Sequence, residues 1–178
     1  FDRSGVWPMC LHLLFQTIPR MSFRPSRQAF TTAVNACGRG KEWALAFALI
    51  KEMQERSCRR DITTHNGAIH GAALAENWEV ALVALADLGS DDIHADATTY
   101  STLMSALLWT NHWQRSLQIY HQALQSDQPL DAHVFNGAVT ACSPGLQWES
   151  SFQILREMMA REVDMTHVTY TAVVGTLA

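Results

Sequence analysis

The chain has 178 residues, 48% of them hydrophobic, and a formal net charge of −4, enough apolar material for a folded core. No apolar run approaches the roughly 18 uncharged residues that a membrane span requires. The four cysteines, Cys10, Cys37, Cys58 and Cys142, lack C-x-x-C spacing and read as small buried hydrophobes, neither disulfide partners nor metal ligands.

Charge is unevenly spread. Residues 1–60 hold ten of the thirteen Lys and Arg against four acids, whereas residues 61–178 hold three Arg against thirteen acids. The basic end therefore offers the candidate phosphate-binding residues, Arg24, Arg27, Arg39, Arg56, Arg59 and Arg60, because Lys and Arg supply most nucleic-acid affinity.

The pattern that organises the chain is a recurrence of Trp43, Trp78, Trp113 and Trp148 every 35 residues. Thirteen residues before each stands an aromatic or His (Phe30, His65, Tyr100, Phe135), and seven before each a small residue (Ala36, Gly71, Ala106, Ala141). A fixed period of this size is the signature of stacked repeats. It predicts an all-α fold, an α-solenoid of helix-turn-helix hairpins with a 35-residue repeat.

In chain order, residues 1–26 read as the rear helix of a partial repeat, with Trp7-Pro8 in its first turn and Pro19 ending it. The first full repeat, 27–61, has a front helix over Gln28–Cys37, a break at Gly38-Arg39-Gly40 where glycine is expected to supply the exit, and a rear helix over Lys41–Arg56. The apolar stripe Phe30, Ala33, Val34, Cys37 has helical spacing. Repeats 62–96, 97–131 and 132–166 follow the same plan, the last with a Ser143-Pro144-Gly145 turn. Residues 167–178 supply only the front helix of a further repeat, whose Tyr170, Val173, Val174, Leu177 stripe needs a cover. Opening at Phe1 with no leader-like stretch, the chain reads as a segment of a larger or processed polypeptide.

The segments His167-Val168-Thr169-Tyr170-Thr171-Ala172-Val173-Val174 and Trp43-Ala44-Leu45-Ala46-Phe47-Ala48-Leu49-Ile50-Lys51-Glu52-Met53 resemble the pentatricopeptide repeat family. The resemblance implies a right-handed superhelix with front helices on its concave face, and binding of single-stranded organellar RNA with about one base per repeat. It also implies base-reading pairs: Thr31 with Asp61, Asn66 with Asp96, Ser101 with Asp131, and Asn136 with Thr166, with Thr171 opening a further pair. Thr or Ser with Asp would favour G, Asn with Asp would favour U, and Asn with Thr a pyrimidine. An alternative role for Asp61, Asp96, Asp131 and Thr166 is helix capping.

Two features favour a different partner, the protein subunits of a large organellar complex such as a ribosome or a respiratory or photosynthetic assembly. Where the family places an aliphatic base clamp, the column reads Gln28, Thr63, Thr98, His133 and Val168, and the front helices from Ile62 onward carry no Lys or Arg. Under either reading the chain is a binding module and not an enzyme. It has no cofactor, metal, small-molecule substrate or membrane insertion, and its place is a mitochondrion or chloroplast, soluble or peripheral to a complex. Histidines 65 and 70 lie five apart, off a common helical face, so they make a poor metal pair.

Overall fold

Five helices start directly after a short polar side chain, which satisfies amides that the first helical turn leaves without partners. In the computed structural model, which describes residues 6–17, 25–90, 92–126, 128–145 and 147–176, Ser26 accepts from the Ala29 amide, Asp61 from Thr64, Asp96 from Thr99, and Asp131 from His133 and Val134. At the fifth start the Thr169 hydroxyl accepts from the Thr166 amide at 3.1 Å, as the Thr99 hydroxyl does from the Asp96 amide at 3.3 Å. These caps open the front helices α2 (Arg27–Arg39), α4 (Ile62–Leu74), α6 (Ala97–Trp109), α8 (Ala132–Cys142) and α10 (His167–Gly175). The rear helices α3 (Trp43–Glu55), α5 (Trp78–Ser90), α7 (Trp113–Gln125) and α9 (Trp148–Ala160) each begin at a column tryptophan. Ahead of them, α1 (Val6–His12) runs into a π-helical stretch, Leu13–Thr17.

Helix exits differ in part from expectation. Three front helices leave through left-handed residues that are not glycine, Lys41 (φ 63°), Glu76 (φ 59°) and Asn111 (φ 60°), and three rear helices through Ser57, Asp92 and Glu162, whereas α8 leaves through the expected turn at Ser143-Pro144-Gly145. Each closes with an amide reaching back five residues, as Glu42 to the Cys37 carbonyl, Asn77 to Ala72 and Ile93 to Leu88, the Schellman pattern that satisfies terminal carbonyls. The break expected at Gly38-Arg39-Gly40 does fall there, with Gly40 as the C-cap of α2, but Gly38 itself lies buried within the helix. A Cβ there would sit 2.3 Å from the Gly67 carbonyl oxygen, and one on Gly71 would sit 2.6 Å from the Gly38 Cα. These glycines let two helix backbones touch, and that is why they are glycine.

Two compact units divide the chain, Phe1–His94 and Ala95–Ala178. In the first, α2 packs against α1, α3 and α4, and α4 also against α5, around fully buried Phe30, Val34, Met53, Ile69 and Leu88. In the second, α8 is surrounded by α6, α7, α9 and α10, and buries Phe135 and Val139 with Leu103, Met104 and Met158. Within this core the rings of Tyr120 and Phe135 meet edge to face at 5.8 Å, a favoured aromatic geometry.

The column tryptophans are not core residues. Trp43, Trp78 and Trp113 are half-buried and Trp148 is 49% exposed. Trp113 lies over the following hairpin turn, its ring 2.8 Å from where a Gly145 Cβ would be, and Trp7 lies likewise 2.6 Å from that of Gly40. Trp113 and Trp7 thus each reach from one hairpin to the turn of the next, as stacked repeats allow.

Candidate nucleic-acid interface

Buried and exposed positions alternate along each front helix with helical period, and the exposed position is polar in all but α10, where it is Val168. Gln28, Thr63, Thr98, His133 and Val168 are all exposed, while Thr31, Asn66, Ser101 and Asn136 are half-buried beside them. Three residues apart on a helix, these two columns share one face.

In the first unit, α2 and α4 bring Thr31 and Asp61 together through a third residue. Thr64, fully buried, stands 2.8 Å from the Thr31 hydroxyl, and its own hydroxyl donates to Asp61 Oδ1 at 2.7 Å. Arg27 Nη1 lies 3.8 Å from Asp61 Oδ2. Partial burial acts to raise the Asp61 carboxyl, but the Thr64 hydroxyl and amide and the Arg27 charge outweigh it and hold the group below its ordinary value. Asp61 is thus a carboxylate at neutral pH.

Asn136 of the second unit is linked through a buried threonine to the backbone, not the side chain, of Thr166. Buried Thr169 donates to Asn136 Oδ1 at 2.7 Å and accepts from the Thr166 amide. Ser101 and Asp131 are not so joined: Ser101 bonds the Thr98 carbonyl of its own helix at 3.2 Å, and Asp131 caps α8. Val134 stands where α4, α6 and α10 have threonine and α2 has Ala29. Asn66 is half-buried on α4, Asp96 caps α6, and Thr171 is exposed, donating to the His167 carbonyl. All three Asp of the expected pairs are helix caps, the alternative role the sequence offered them.

The arginines separate into groups. Arg27, Arg59 and Arg60 line a cleft of about 810 Å³ with Asp61, Asp92 and His94. Arg56 instead pairs with Glu52 at 2.6 Å and lies 5.8 Å over the Phe30 ring. Arg39 sits at the far end of α2, roughly 18 Å along the helix from Arg27. It faces His70, which burial and the Arg39 charge hold below the ordinary histidine value. Arg24 lies outside the described residues. Among the described residues no cluster of His, Cys, Asp or Glu could hold a metal, and no helix is long and apolar enough to cross a membrane.

Sequence reasoning passed over Thr64 and Thr169. Their signal was a threonine directly before the aromatic column at Thr64-His65, Thr99-Tyr100 and Thr169-Tyr170, legible as a column but not as a contact.

Comparison with known proteins gives this geometry a context. The family model described as the PPR repeat matches residues 29–58. The pentatricopeptide repeat protein PPR10 from maize superposes with a TM-score of 0.72 and 21% identity, over 98% of this chain and 25% of that one. PPR10 in complex with an 18-nucleotide psaJ RNA element gives 0.76 and 19%, over 98% and 26%. The PPR domain of Arabidopsis thaliana protein-only RNase P 1, in complex with tRNA, gives 0.78 and 11%, over 98% and 92%. This chain spans about a quarter of the length of PPR10. No curated protein sequence matches it. The fold these likenesses share with it is an all-α solenoid of helical hairpins.

Proposed function

We propose that this chain, which belongs to the pentatricopeptide repeat family, binds single-stranded RNA along the polar stripe of its front helices. We place that activity in a mitochondrion or chloroplast, in RNA processing, stability or translation, and assign the chain binding and not catalysis. The observation that carries the reading is the pairing of Thr31 with Asp61 and of Asn136 with Thr166, each through one buried threonine, beside an exposed polar column. Short polar side chains held on a rigid element are what base-edge recognition needs. Both PPR10 and the PPR domain of RNase P 1 are seen in complex with RNA, which supports the same partner here.

Phosphate contacts are few on this reading. Arg27, Arg59 and Arg60 gather in one cleft, and three such contacts would give a slope of log affinity on log salt of about −2. Fluorescence anisotropy of the chain against an RNA containing G-U-G-pyrimidine and a scrambled control, at two salt concentrations, tests the proposal. Preference for the first RNA, reduced by Asn136→Ala, supports it. Equal or absent binding of both would move the assignment to a scaffold for protein subunits, a reading favoured by the exposed apolar side chains Trp148, Phe152, Tyr170 and Val174 of the second unit.

A further inference from the structure

We infer that the buried threonine at the third position of a front helix is a positioning residue: it decides whether the reading side chain of the preceding hairpin offers its base a hydrogen-bond donor or an acceptor. The inference rests on the RNA-reading role proposed above and goes beyond it to the chemistry of each position.

A threonine hydroxyl carries one proton and two lone pairs. At Thr169 the oxygen accepts from the Thr166 amide at 3.1 Å, and the proton goes to Asn136 Oδ1 at 2.7 Å. With its oxygen engaged inward, the Asn136 amide has Nδ2 and its two protons left for a ligand. This position offers donors, and suits a base with a carbonyl or ring-nitrogen acceptor, as uracil or cytosine presents.

Thr64 sets the opposite polarity. Its proton goes to Asp61 Oδ1 at 2.7 Å, and an ionised carboxylate has none to return. The 2.8 Å contact between Thr31 and Thr64 is therefore donated by Thr31. Its proton spent, Thr31 offers only lone pairs, and suits a base edge with N–H groups such as that of guanine. Both threonines are fully buried, so no water competes for these bonds. What differs is the residue before the helix: an acidic cap draws the threonine proton, and a threonine cap releases it toward the reading side chain. In α8, Val134 fills the same column and has no hydroxyl to orient Ser101, whose own hydroxyl bonds the Thr98 carbonyl.

The test compares Thr169→Val with Thr169→Ser in the full chain. Valine is accommodated at this column, since Val134 is itself fully buried. The RNAs differ only at the nucleotide whose identity ceases to matter in Asn136→Ala, set in turn to U, C, G and A. One neutral hydrogen bond corresponds to a preference of about threefold to tenfold for the acceptor base over adenine, which Thr169→Val should bring within about twofold and Thr169→Ser should restore. Val134→Thr should sharpen discrimination at the nucleotide read by Ser101. An unchanged base ranking in Thr169→Val with binding intact would overturn the inference and leave the proposed function standing. A readout without RNA decides the polarity itself: in NMR, the Asn136 side-chain amide protons should exchange rapidly with water. Slow exchange would mean that they face Thr169, and would overturn the inference even in a chain that bound no RNA.

Discussion

Replacing glycine by alanine inside a helix ordinarily stabilises it, by up to about 1 kcal/mol; Gly38→Ala should do the reverse. The added Cβ would lie 2.3 Å from the backbone oxygen of Gly67, where ordinary contact begins near 3.4 Å. The obstacle is main chain, so no rotamer change can relieve it, and α2 and α4 must separate by about 1 Å, a gap that forfeits a quarter to a half of each contact along the crossing. Overpacking of this kind costs about 1–3 kcal/mol; less the gain in helix propensity of about 1 kcal/mol, the net loss is up to about 2 kcal/mol. Gly89→Ala is the internal control, because a Cβ there meets nothing within 4 Å and the same propensity gain stands alone. Urea melts followed by circular dichroism at several wavelengths would measure both and reveal any uncoupling of the hairpins, which stacked repeats permit. A Gly38→Ala chain as stable as Gly89→Ala would refute the close-approach argument.

Further outcomes follow from other features of the structure. Glu76 holds φ 59° as an α4 exit, so Glu76→Gly should raise the unfolding midpoint, by about 1 kcal/mol once the added freedom of the unfolded chain is subtracted. Phe135→Ala, which empties a fully buried site against Tyr120, should cost about 3–5 kcal/mol in the same melts. Because the folded-state value of Asp61 is depressed, its contribution is present above the ordinary carboxylate value and lost as pH falls below about 4 through the folded value. Asp61→Asn, which keeps a capping oxygen, should therefore flatten part of the acid limb of stability against pH. Burial pushes the Cys37 and Cys142 thiols up to about 11, so at pH 8 a thiol reagent should label half-buried Cys10 and Cys58 well before them.

The helices and their inward faces were legible in the sequence because both are periodic along one chain: column residues recur every 35 positions and apolar residues every three or four. Thus Phe30, Ala33, Val34 and Cys37 were read as one face, and all four are buried. The caps were legible too, since a short polar residue before an apolar run has a local meaning. Gly38 was misread for the same reason: seen along the chain, a glycine near a helix end is an exit, and only α4, some thirty residues on, shows it to be a contact. The bonds from Thr31 to Thr64 and from Asn136 to Thr169 each join residues 33 positions apart.

What the sequence by itself determined, then, is the register, the helices and which side chains turn inward, because helical geometry converts spacing into direction. Only the tertiary structure decided which glycines touch, which tryptophans stay at the edge, and which buried threonine Thr31 and Asn136 each meet. Those depend on how closely two helices approach and on the direction of each hydrogen bond between them, and neither is written in the spacing of residues along one helix.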